Sequence, residues 1–228
     1  MVLLHGLGRT RGSMDSLRAY LAGHRQWSVV AVGYPSTRAD LRQHAESLHR
    51  ILQGMPRVET FDFVGHSMGN IVVRRYLKLL SERKDKEAAG MLARVGRIVM
   101  LCPPNHGALA AEKLIPVKVI GGTPFQELGG DWAKLKPMLA TPPNEFGILA
   151  GGKGNRHGYN PLIPGDDDMV ISVATTRLAA ASDFRVIPAA HTFFMDNEIV
   201  QTYVRRFLQH GYFESAAART PLGRDRDR

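Results

Sequence analysis

The sequence predicts an α/β fold: a mostly parallel central sheet of about six strands with helices on both faces. Three observations carry this prediction. Short apolar or β-branched runs of buried-strand type alternate with longer runs of helical spacing along most of the chain. The length of 228 residues suits one domain with a real core, and the composition of 44% hydrophobic and 22% charged residues is that of a soluble globular protein. No run approaches the roughly 18–20 apolar residues that a membrane span requires.

In chain order, the strand-like runs are Val2–Leu4, Val29–Val32, Phe61–Val64, Ile98–Cys102, Phe146–Ala150 and Phe184–Ile187. Helical patterns fill about Ser13–Ala22, Ala39–Gln53, Met68–Leu80 and Thr192–Gln209. In the third helix Ile71, Val72, Leu79 and Leu80 make an apolar stripe beside a cationic face that includes Arg75. In the last, Ile199, Val200, Tyr203, Val204, Phe207 and Leu208 recur at helical spacing. Residues 103–145 break the rhythm, being rich in Pro and Gly with Phe125, Leu128, Trp132 and Leu135 at no clean period. Residues 215–228 (SAAARTPLGRDRDR) have little to bury and are expected to form a disordered basic tail, which leaves residues 1–214 as the folded domain.

The net charge of +9 is dispersed, with local excess in Arg74–Lys86 and in the tail. Without aromatic-interleaved basic motifs or zinc spacing, it reads as a solvated basic surface and not as a nucleic-acid site. Peripheral contact with a membrane surface stays open, and the sequence says nothing of oligomeric state. The single cysteine, Cys102, excludes an internal disulfide and fits a reducing compartment. With no signal peptide before Val2–Leu4, a cytoplasmic location is expected, unless a longer native N-terminus carries a leader.

The candidate chemistry starts at residues 61–70, FDFVGHSMGN. A bare G-x-S-x-G arises easily by chance, but here an apolar strand precedes it and a helical pattern follows. That is the setting a nucleophile on a sharp strand-to-helix turn requires. Gly65 and Gly69 let the turn form and the helix pack close, and Ser67 stands at a helix N-terminus that favours developing negative charge. A serine hydroxyl needs a base, and the base needs a carboxylate to orient it. His191, in VIPAAHTFF, follows the last strand-like run, and Asp166, Asp167 and Asp168 lie in the loop after Phe146–Ala150. All stand beyond the carboxyl ends of predicted strands, where sites form in open parallel sheets. After the first strand, His5-Gly6-Leu7 can aim the Leu7 N–H at a carbonyl oxygen, with the Met68 N–H completing an oxyanion hole. His106 also follows a strand end but has no carboxylate near it in sequence and reads as structural. His5 and His66 belong to turns whose backbones are expected to matter more than their rings. Met68 and Met195 read as packing residues, and Cys102 as buried.

Together the segments LLHGLGRT (from Leu3), FVGHSMGN, PPNHG (103–107), EFGILAGG (145–152), NPLIPGDDDMVISVATTRL (160–178) and AAHTFFM (189–195) resemble the α/β-hydrolase superfamily, in particular its small bacterial lipase and esterase-like members. The resemblance spans nearly the whole chain. It implies a Ser-His-Asp triad without a cofactor or metal, and a small-molecule or lipid ester as substrate. Laid on the Asp-Gly-x-Val pattern of such relatives, GDDDMVIS places the acid at Asp168, with Met169 where the pattern has Gly and with Asp167 or Asp166 as alternatives. It also implies a lid from about residues 105–144. That lid is short for long triglycerides, and its Phe125, Leu128 and Trp132 suggest a modest acyl pocket. The expected activity is hydrolysis of short to medium acyl esters. The alternatives are a thioesterase, amidase or lipid deacylase with the same triad, or a non-catalytic binding protein on the same fold.

Overall fold

A computed structural model describes residues 1–24, 27–107 and 132–223. The elements are β1 (Val2–Leu4), a 3-10 turn (Arg11–Met14), α1 (Asp15–Gly23), β2 (Val30–Val32), α2 (Leu41–Gln53), β3 (Phe61–His66), α3 (Met68–Arg83), α4 (Lys86–Ala93) and β4 (Val95–Leu101). After one helical turn at Trp132–Leu135 come β5 (Phe146–Gly151), a further turn at Val173–Thr176, β6 (Asp183–Ile187), a 3-10 segment (His191–Asp196) and α5 (Glu198–His210).

The strands form one sheet in the order β2-β1-β3-β4-β5-β6, and every neighbouring pair is parallel. The chain runs outward from β1 to β2, then returns to place β3 on the other side of β1. This reversal opens a crevice at the carboxyl ends of β1 and β3.

Because side chains alternate along a strand, each strand feeds two cores. Leu4, Phe63, Met100 and Ile148 join the core against α2, α3 and α4. Leu3, Val64, Val99 and Leu149 join the one against α1 and α5. Burial on both faces explains why these strands read as continuous apolar runs. Phe61 and Phe63 are fully buried, each contributing about 2–3 kcal/mol.

Local chemistry sets the helix ends. Asp40 and Gln43 form a reciprocal capping box at the start of α2, with bonds of 2.7 and 3.0 Å. Asp85 caps α4 through the Ala88 N–H at 2.7 Å. α5 ends at Gly211, whose φ of 77° suits a residue without a Cβ.

Four expectations are corrected. The region expected as one helix over Thr192–Gln209 is interrupted, because Asn197 accepts from the Ile199 and Val200 N–H groups and so starts α5 afresh. α4 was not expected from periodicity. Arg74 and Arg75, counted with the solvated charge, are only 3% and 5% exposed. Arg74 donates to the Ala140 carbonyl (2.9 Å) and to Asn105 Oδ1 (3.0 Å), tying α3 to both flanks of the irregular region. Finally, residues 215–223 are not a loose tail. Fully buried Asp183 accepts from the Phe213 and Thr220 N–H groups, both at 2.9 Å, and Leu222 exchanges backbone bonds with Ala180 and Ala181, just ahead of β6. A buried carboxylate needs donors, and this segment supplies one of the two. Phe125 and Leu128 lie outside the described residues. No helix among the described residues is long and apolar enough to cross a membrane.

Candidate active site

Ser67 follows β3 directly and caps α3 with φ 53° and ψ −124°, a conformation that a non-glycine residue holds only at a cost of about 1–3 kcal/mol. Its surroundings enforce the turn. A Cβ on Gly65 would stand 2.5 Å from Asn70 Oδ1 and 2.7 Å from the Asn70 nitrogen, and one on Gly69 would stand 2.5 Å from the Leu4 carbonyl oxygen. Both glycines are therefore needed for α3 to pack so tightly against β1 and β3. Asn70 closes the turn from the other side, donating from Nδ2 to the carbonyls of Ser67 and Leu101, each at 3.0 Å. The Ser67 N–H also bonds the Leu101 carbonyl, at 2.9 Å.

Beyond β5 and β6, the structure brings Asp168 and His191 together. His191 Nδ1 lies 2.6 Å from Asp168 Oδ2, and the His191 N–H donates to the Asp168 carbonyl at 2.9 Å. Asp168 is fully buried, and its other oxygen accepts from the N–H groups of Val170 (3.0 Å) and Ile171 (2.7 Å). Its two acidic neighbours are spent elsewhere. Asp166 accepts from the Lys153 and Gly154 N–H groups, and Asp167 from those of Asn160 and Met169. Met169, standing where the resemblance expects glycine, has φ 85°.

The His5–Gly6–Leu7 turn abuts Ser67, since a Cβ on Gly6 would lie 3.0 Å from Ser67 Cβ. His5 stacks on Tyr34 at 4.1 Å between centroids. Its Nε2 accepts from the Tyr34 N–H (3.4 Å), which leaves Nδ1–H to donate to the Gly6 carbonyl (2.9 Å). The Tyr34 hydroxyl donates to the His5 carbonyl, and Gly8 N–H to Ser36 Oγ at 3.0 Å, so the loop after β2 braces this turn. Among the described residues, no hydrogen bond uses the Leu7 or Met68 N–H.

Sequence reasoning undervalued two rings. His5 braces the turn as described, and His66 Nε2 donates to the His191 carbonyl at 3.1 Å with the two rings 4.7 Å apart. The one available signal was the position of His66 at the end of a buried strand, where a polar ring needs a partner. Cys102 is buried, with φ 46° just past β4. His66, Cys102 and His191 offer atoms within 4.8 Å of one another. Burial and then Asp168 push the Cys102 thiol well above its ordinary pKa, which disfavours the thiolate a metal would need. His106 is exposed, and its N–H donates to the Thr175 carbonyl at 3.1 Å. Met68 and Met195 are buried in the two cores.

A family model described as "Alpha/beta hydrolase family" matches residues 1–222. The chain belongs to the α/β-hydrolase family. Among solved structures, this hydrolase is similar to the mature lipase BlEst2 of Bacillus licheniformis, at 18% identity with a TM-score of 0.63, over 86% of this chain and 85% of that one. It is also similar to phospholipase PlaB of Legionella pneumophila, at 17% identity and TM-score 0.65, over 88% of this chain but only 53% of that one. A metagenomic carboxyl esterase, MGS0156, aligns at 16% identity and TM-score 0.63, over 83% of this chain and 64% of that one. At such identities the likeness is one of fold. The comparison with curated proteins gave no match.

Proposed function

We propose that this hydrolase cleaves carboxylic esters, preferring short to medium acyl chains, through Ser67, His191 and Asp168. The observation that carries the reading is the 2.6 Å bond between His191 Nδ1 and buried Asp168, formed beyond the same end of the sheet as the strained Ser67 turn. With Nδ1–H donated to Asp168, His191 Nε2 is the lone pair that takes the Ser67 proton as the hydroxyl attacks the carbonyl. The Leu7 and Met68 N–H groups receive the oxyanion, each worth about 3–4 kcal/mol in the transition state. His191 then returns its proton to the departing alcohol, and water releases the acyl group by the same route. None of these steps calls for a cofactor. The preference in chain length rests on the short lid that the resemblance implies for about residues 105–144, most of which lie outside the described residues. Trp132 and Leu135, which are described, pack against the core.

One observation favours a second reading, a lipid-borne ester. Leu162 (68% exposed), Met169 (52%) and Phe193 (67%) stand on or beside the loops that carry Asp168 and His191. An apolar rim of this kind suits contact with acyl chains.

The test is hydrolysis of a nitrophenyl ester series, from acetyl to palmitoyl, and of phospholipid vesicles, by wild type and Ser67→Ala. Activity peaking at short to medium chains and falling at least about 10³-fold in the variant is expected. Rates rising steadily to palmitoyl, or confined to vesicles, would favour the lipid reading. Equal rates in both proteins would overturn the role of Ser67. A folded wild type inert on every ester would move the reading to thioesters, amides or a binding role.

A further inference from the structure

His66 is the last residue of β3 and precedes Ser67 in the chain. By strand alternation its ring lies on the same side of the sheet as Val64, facing the 3-10 segment that begins at His191. The ring is buried, and Nε2 meets the His191 carbonyl at 3.1 Å. A carbonyl only accepts, so Nε2 carries a proton. Nδ1 is buried with no hydrogen-bond partner, so a second proton there would have no acceptor.

Three bonds therefore hold His191. Its N–H goes to the Asp168 carbonyl, its Nδ1 to the Asp168 carboxylate, and its carbonyl is held by His66. The first two come from the loop of the acid and fix the ring relative to Asp168. The third comes from the residue next to Ser67 and ties the base to the nucleophile's side of the crevice.

We propose that His66 is a positioning residue that fixes the main chain of His191 relative to Ser67 and so sets the reach between nucleophile and base. This rests on the triad reading above. The groups around the ring suit the role. His5 after β1, Cys102 after β4, His191 after β6 and the Arg9 guanidinium supply no anion to stabilise a charged His66. Burial, then His191, hold its pKa well below the ordinary histidine value. His66 thus stays neutral while His191 gains and loses a proton, and the Nε2–H bond persists through the cycle.

The experiment compares wild type, His66→Leu and His66→Gln. The Gln Nε2 lies the same number of bonds from the backbone as the His Nε2, so it can restore the donor without the ring. For His66→Leu we expect kcat lowered by about 10- to 100-fold with KM within about twofold, the signature of a displaced base and not of lost binding. His66→Gln should recover to within about fivefold of wild type. Thermal melts establish that each variant is folded. An unchanged kcat in folded His66→Leu would overturn the proposal, and so would a His66→Gln no better than His66→Leu, since the ring's packing would then be what matters.

A second readout is independent of hydrolysis. In ¹⁵N-histidine NMR of Ser67→Ala, His66 should show the neutral Nε2–H form throughout the range in which an ordinary histidine protonates. A Nδ1–H form, or ordinary titration, would overturn the clamp. If no ester is hydrolysed at all, the ester reading fails while this readout still decides on His66.

Discussion

At the scale of single residues, the site is a set of backbone conformations that most side chains resist. Ser67 and Met169 both stand at positive φ, one beside the crevice and one directly after the candidate acid. For Ser67 the strain, on the proposed reading, serves to present the hydroxyl, and Gly65, Gly69 and Asn70 over-determine the turn. For Met169 nothing in the bonding of Asp168 requires the side chain, since Asp168 and Asp167 bond main-chain N–H groups of the 169–171 turn. Met169→Gly should therefore raise stability by about 0.5–1 kcal/mol, the relief at φ 85° outweighing the added freedom of the unfolded chain. Urea denaturation would show a higher midpoint at constant slope, and a lower midpoint would mean that the exposed side chain makes a contact worth more than the strain.

At the scale of elements, the strands were legible in the sequence and the helices less so. All six strands were read near their observed places because burial on two faces leaves an unbroken apolar run. α4 escaped notice because Gly90 interrupts a short run that buries only Ala88 and Met91. A Cβ on Gly90 would meet nothing within 4 Å. Gly90→Ala should therefore stabilise the protein by about 0.5–1 kcal/mol, measured as a rise in Tm, with ester hydrolysis unchanged. The break before α5 has a different origin: the apolar period runs through it, and only the capping geometry of Asn197 stops the helix.

At the scale of the whole molecule, buried neutral histidines make stability depend on pH. His5 and His44 have their pKa values lowered, and His66 has its value lowered well below 6.5, in each case mainly by burial. A histidine with a depressed folded pKa binds its proton more readily when unfolded. Its stabilising contribution is therefore full above the unfolded value of about 6.5 and is lost as pH falls below it toward the folded value. Each proton taken up on unfolding adds about 1.4 kcal/mol per pH unit to the slope. Denaturant unfolding at a series of pH values from neutral downward should show stability falling more steeply than one histidine explains. His44→Gln, which removes one of the three, should flatten the slope. A slope unchanged in that variant would mean that His44 does not contribute.

The sequence by itself determined the strand order along the chain, the Gly65–Gly69 turn and the three loops that converge at one end of the sheet. These are local properties, set by side-chain period and by the steric freedom of glycine. It narrowed the candidate acid to three adjacent aspartates, and resemblance favoured Asp168. Only the tertiary structure shows which of them pairs with His191, because the difference lies in which carboxylate faces His191 across 23 residues and which are consumed by main-chain N–H groups nearby. The same holds for Arg74, which looks like surface charge until its bonds to Asn105 and Ala140 are seen, and for residues 215–223, whose partner Asp183 lies more than 30 positions back. Hydrogen bonds between distant segments leave no periodic trace in a sequence. They are decided by where the sheet places its strand ends, and this is also why the His66 ring could be read only once His191 lay beside it.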